Sequence, residues 1–189
     1  MKRKSSGGSV TGGTNDIKPQ FMTLAGATAG AVDDYRVDVF QIPVVRPRGK
    51  GESATIMEML SVDWYLSMQN ASDTAYLEWA FLTSNTVRTS GDTASAGSMA
   101  EDIADPRTFA LGATNVSLTT SGSSATLFPL HIDLTDSNGN GILWGSDTIT
   151  LVSAAVNNGA AGATTAKLKY RWVNVGLIEY LGIVQQQTN

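Results

Sequence analysis

Residues 52–68, ESATIMEMLSVDWYLSM, form the longest patterned stretch of the chain, and their reading decides its class. The even positions are Ala54, Ile56, Glu58, Leu60, Val62, Trp64, Leu66 and Met68, apolar apart from Glu58. The odd positions carry Thr55, Ser61, Asp63 and Ser67. This is the period of two that sends successive side chains to opposite faces of a strand. A helical period fits less well, although Met57-Glu58-Met59-Leu60 taken alone would suit a helix. The stretch is read as one long strand.

Upstream, YRVDVFQI (35–42) is dense in β-branched and aromatic residues and stops at Pro43, so it reads as a second strand. A basic loop, Arg46-Pro47-Arg48-Gly49-Lys50-Gly51, joins the two. Downstream, strands are expected at 76–83, 115–120, 125–134, 142–144, 148–156, 166–175 and 177–185. Within 125–134, Phe128, Leu130, Ile132 and Leu134 share a face, while Pro129 marks an edge or a bulge. Residues 84–107 are a long acidic Ser/Thr/Gly/Ala-rich connection with one short helical turn expected near 99–103. Two Asn-Gly pairs in 136–141 signal a hairpin, and Asn157-Asn158-Gly159 another turn. Strands so spaced, without alternating helices, specify an all-β sandwich, barrel or jelly roll.

The chain's 189 residues suit one domain with a core of its own. Charged residues are 16%, below the roughly 25% of ordinary soluble domains. With no Cys, disulfides, thiolate metal sites and Cys nucleophiles are excluded. No apolar run approaches the roughly 18 residues of a membrane span, and residues 1–13 lack the apolar core of a signal peptide. Residues 1–16 read as a flexible basic arm and 17–32 as an irregular Ala/Gly-rich lead-in, leaving 33–189 as the folded domain. Residues 1–50 hold eight Lys/Arg against four Asp, a balance of +4; residues 51–189 hold five against thirteen acids, −8. A basic leading end on an acidic body fits a polyanion met on one side, or else a solvated tail.

Chemistry has few places to sit. His131 is the single histidine, with Asp133 on the same strand face, but no nucleophile elbow or oxyanion loop accompanies them. A half-buried or interface histidine is the plainer reading, and no enzyme is expected. Asp136, Asn138, Asn140, Gly141 and Asp147 fall at positions 1, 3, 5, 6 and 12 of a calcium-loop pattern. Asp stands at the last position where Glu is usual, and the flanks read as strands, so a hairpin turn competes with calcium. Lys2, Arg3, Lys4, Lys18, Arg46, Arg48 and Lys50 form a cationic set without base-reading motifs, suited to phosphates rather than to sequence.

Three segments resemble the capsid proteins of small circular Rep-encoding single-stranded DNA viruses known from environmental samples. IPVVRPRGKGESATIMEMLSVDWYL (42–66) is similar to their "PI-R-R…-G-AT-MEVLKV" region. HIDLTDSNGNGILWGSDTITLV (131–152) is similar to their "DLTDG-G-G-L-A-D-I" hairpin, and YRWVNVGLIEYLGIVQQQ (170–187) to their "YR-K-VSL-EYIGIVQSQ" close. The resemblance implies a single jelly-roll β-sandwich with a flexible N-terminal arm, a self-assembling icosahedral shell of roughly sixty copies or a multiple, and a place in the virion and, during assembly, the host cell. It also implies that Lys2, Arg3, Lys4, Arg46, Arg48 and Lys50 face a single-stranded DNA genome. This arm is shorter than many in that family and the body is acidic, both of which argue against strong condensation of DNA. The competing function is a β-sandwich carbohydrate- or surface-binding module, which would call for an export signal and clustered exposed aromatics.

Overall fold

A computed structural model describes residues 18–27, 33–47, 49, 52–67, 75–85, 87–117, 130–157 and 162–188. The strands are β1 (Gln20–Ala27), β2 (Tyr35–Gln41), β3 (Ser53–Ser67), β4 (Ala75–Thr83), β5 (Thr108–Ser117), β6 (Leu130–Asp133), β7 (Ile142–Trp144), β8 (Thr148–Val156) and β9 (Ala163–Gly176). The helices are α1 (Ala96–Ala104) and α2 (Leu177–Thr188). All strand pairs are antiparallel. One sheet runs β1-β9-β3-β6 with β7 also on β3, and the other β2-β8-β4-β5.

β6 and β7 behave as one interrupted strand. β6 pairs with 61–64 of β3, β7 with 57–59, and between them the Leu134 N–H donates to the Leu60 carbonyl at 2.9 Å. The molecule is thus a jelly roll of two four-stranded sheets. The Asn-Gly segment, read above as a hairpin, is instead a loop thrown out of that strand, with Gly139 at φ 79° in the left-handed region.

Met57, Met59, Val62, Trp64, Leu66, Leu168 and Tyr170 of the first sheet meet Ala80, Leu82, Ile149 and Leu151 of the second in the central core. The inward positions of β3 change parity, odd before residue 60 and even after it. A bulge between Met59 and Ser61 in the pairing with β9 causes the switch. The single even-numbered apolar face expected from the sequence is therefore two half-faces. Ala54 and Ile56 point outward and are roofed by α2, and Glu58 does not enter the central core at all.

Residues 177–185, read as a strand, form α2, in which Tyr180, Ile183 and Val184 recur at helical spacing and pack on Ala54, Ile56 and Val175. Residues 20–27, placed in an irregular lead-in, form β1, paired with β9 along its whole length from Gln20↔Tyr170 to Ala27↔Ala163. Its small residues serve close packing: a Cβ on Gly26 would lie 2.6 Å from the Asp38 carboxylate. The strand expected at 115–120 begins earlier, at Thr108, and residues 118–129, including Phe128 and Pro129, lie outside the described residues. The helical turn near 99–103 is present as α1 with Ser95 as its N-cap. Among the described residues no helix is long and apolar enough to cross a membrane.

Candidate functional site

Three distant segments meet behind β3. Glu58 is 3% exposed. Its carboxylate accepts from Arg171 Nε at 2.6 Å and Nη2 at 2.8 Å, and from the Gly141 backbone N–H at 2.7 Å. A Cβ on Gly141 would fall 2.0 Å from the Met59 carbonyl oxygen, so only glycine brings this N–H so close. Burial pushes the Glu58 carboxyl up, but the Arg171 and Gly141 hydrogen bonds and the guanidinium charge hold it below its usual range. Nearby, the Gln187 amide accepts from the Gly145 and Ser146 N–H groups at 3.0 and 3.2 Å and donates to the Leu143 carbonyl at 2.8 Å, tying the end of α2 to β7.

A second polar cluster lies under the 84–107 connection, on the outer side of the other sheet. Asp102 is wholly buried and accepts from Tyr35 Oη at 2.6 Å, Trp79 Nε1 at 2.8 Å and Arg88 Nε at 2.7 Å. Around it Ala94, Val87 and Met99 pack on Trp79, Phe81, Val152 and Ala154. Burial and the Asp102 carboxylate push the Tyr35 phenol above its ordinary range, keeping it a neutral donor. In both clusters a buried carboxylate is held by a partly exposed arginine.

Of the cationic residues expected to meet a polyanion, Lys2, Arg3, Lys4, Arg48 and Lys50 lie outside the described residues. Arg46 is exposed and ion-paired with Asp147. That pair takes one member of the calcium pattern away from the rest. Asp136 accepts from the backbone N–H groups of Asn138 and Asn140 at 2.8 and 2.9 Å and from the Asn140 amide at 3.1 Å. The Asn140 groups lead in holding its carboxyl below the usual range. Among the described residues no three His, Asp or Glu side chains are grouped to hold a metal ion. His131 Nδ1 lies 2.6 Å from Asp63 Oδ1 on an exposed cross-strand pair, so its carboxylate partner is Asp63. A cleft of about 390 Å³ between β5, β7 and α2 is lined by Arg107, Phe109, Trp144 and Gln187. Arg107 is already held by Asp105, as Gln187 is by β7 and the loop after it.

Sequence reasoning passed over Glu78, which is wholly buried on β4. Thr164 Oγ1 lies 3.4 Å from one oxygen, and the other has no partner among the described residues. Burial raises its carboxyl to about 7 from 4.5, only partly opposed by Thr164. The folded chain therefore holds this proton more tightly than the unfolded chain. Stability is fullest below the unfolded value and falls as pH rises toward and past 7, by up to about 3 kcal/mol. Glu78→Gln should flatten that fall in urea denaturation between pH 5 and pH 8. An unaltered pH slope in the variant would remove Glu78 as its cause.

No protein-family model matches the chain, and no curated protein does. Solved structures match by shape. The Merkel cell polyomavirus virus-like particle aligns over 92% of this chain and 80% of its own, with a TM-score of 0.53 at 11% identity. The unassembled KI polyomavirus VP1 pentamer aligns over 85% and 96%, with a TM-score of 0.51 at 9% identity. At these identities the shared property is the fold, a jelly roll of two antiparallel sheets.

Proposed function

We propose that this chain is the coat protein of a small circular Rep-encoding single-stranded DNA virus, assembling with copies of itself into a closed icosahedral shell around the genome. The observation that carries the reading is where the three resembling segments meet. Glu58 comes from the first, Gly141 from the second and Arg171 from the third, and they join in one buried network. Arg46 of the first likewise holds Asp147 of the second, and Gln187 of the third bonds Leu143 of the second. Residues that echo a family pattern far apart in sequence thus depend on one another in space, which supports kinship over chance likeness.

The jelly roll shared with a virus-like particle and a VP1 pentamer supports assembly as the use of this fold. Lys2, Arg3, Lys4, Arg48 and Lys50 would meet the phosphates of the packaged strand, with Arg46 contributing less because Asp147 already faces it. No calcium is required by this reading. Sedimentation of the purified chain should show a megadalton species that negative-stain microscopy resolves as closed particles. A monomer stable across salt and pH would sink the coat reading, and a specific hit on a glycan array would favour a carbohydrate-binding module instead.

A further inference from the structure

The outer face of the β1-β9-β3-β6/β7 sheet is covered over only part of its area. α2 roofs Ala54, Ile56, Val173 and Val175. The remainder, toward β1, presents Phe21, Lys167 and Lys169 side by side. Phe21 is 58% exposed and is the register partner of Lys169. Lys167 Nζ stands 4.9 Å from the Phe21 ring centroid, which fixes both on this face. Arg46, Arg88, Arg107 and Arg171 are all held by carboxylates, whereas among the described residues no carboxylate lies within ion-pair distance of Lys167 or Lys169. The acidic neighbour of Lys167 on β3, Asp63, is engaged with His131. Asp133 feels the Lys169 charge but lies on β6, at the far edge of the sheet.

We propose that this bare area binds single-stranded nucleic acid, with backbone phosphates on Lys167 and Lys169 and a base against the Phe21 ring. Two lysines without carboxylate partners among the described residues, beside an exposed aromatic on one sheet face, supply what a sequence-blind strand requires: point charges for phosphate and an apolar plane for a base. Position favours the same occupant. The seventeen residues outside the description at the N-terminus carry Lys2, Arg3 and Lys4, and they enter the fold through Lys18 and β1, at the edge of this face. The proposal rests on the coat reading for its ligand but assigns a surface of the folded sheet, apart from the arm and the 46–50 loop.

The test is anisotropy of the full chain with a short fluorescent oligothymidylate over a salt series. Lys167→Gln with Lys169→Gln should lower the slope of log affinity against log salt by about 1.4, two phosphate contacts of a single strand. Phe21→Ala should weaken binding about tenfold and leave the slope alone. Photocrosslinking of wild-type chain to a bromodeoxyuridine oligomer, followed by peptide mapping, guards against a variant that misfolds; label on the β1 or β9 peptides is the expected result. Wild-type affinity and slope in folded variants, or crosslinks confined to other segments, would overturn the proposal while leaving shell formation untouched. A lysine variant that binds the oligomer normally but forms no shells would also overturn it, making the face a contact between copies. Failure of the wild-type chain to form shells is a separate result and bears on the coat reading alone.

Discussion

Asp102→Ala is expected to lower the free energy of unfolding by about 3–5 kcal/mol, because it leaves the Arg88 Nε–H and two buried donors without an acceptor, while Arg88 keeps only its second ion pair, with the exposed Glu101. Tyr35 and Trp79 belong to the sheet, Arg88 to the connection above it, and Asp102 to α1, so one carboxylate pins the connection to the sheet. Arg88 also lies 5.0 Å from the Tyr35 ring centroid, and Tyr35 meets Trp79 edge-on at 5.8 Å, so the donors share one packed site. Asp102→Asn keeps the volume and one acceptor oxygen and should recover part of the loss. Urea denaturation read by far-ultraviolet circular dichroism checks both. A loss below about 1 kcal/mol would mean that Ala94 and Met99 hold the connection by apolar packing alone.

Glu58→Ala should cost about 3 kcal/mol, since Arg171 would lose both charge-assisted hydrogen bonds to this carboxylate and the Gly141 N–H its acceptor. The sign of the pH dependence is opposite to that of Glu78. Because the folded-state value of Glu58 is depressed, its contribution is present above the ordinary carboxylate range and is lost as pH falls through the folded value. Melting temperatures taken from pH 6 downward should therefore fall less steeply in Glu58→Gln than in the unaltered chain. Identical acid limbs in the two would assign acid sensitivity to other carboxylates. Together Glu58 and Glu78 leave a stability maximum in mildly acidic solution, between their two windows.

Most strands could be read from the sequence because alternation and β-branched content are local properties, and β2, β3, β4, β8 and β9 sit within a few residues of expectation. The misreadings share a different origin. In α2 the residues LIEYLGIVQ have strand-like composition, and only the recurrence of Tyr180, Ile183 and Val184 against Ala54 and Ile56 reveals the helix. In β1 the small residues of QFMTLAGA conceal a strand whose partner, β9, lies more than a hundred residues on. The bulge at residue 60 leaves no mark in composition, yet it reverses which β3 side chains reach the core. For the site, the single letters were visible but their meetings were not. Glu58 stood out as a flaw in an apolar face, when it is the anchor of an ion pair 113 residues away in sequence.

The loop thrown out between β6 and β7 has a closed neck, with the Asp136 N–H on the Asn140 carbonyl at 2.8 Å and the Gly139 N–H on the Asp136 carbonyl at 3.0 Å. Ser137, Asn138 and Gly139 stand exposed beyond that neck, and the strand resumes on the same partner, β3, that it left. Chain length at the tip is consequently independent of sheet register: residues added there displace no ladder hydrogen bond and turn no side chain to the wrong face. This is the place in the fold where foreign peptide could be grafted for display, and where related chains are free to differ in length without relearning how to fold.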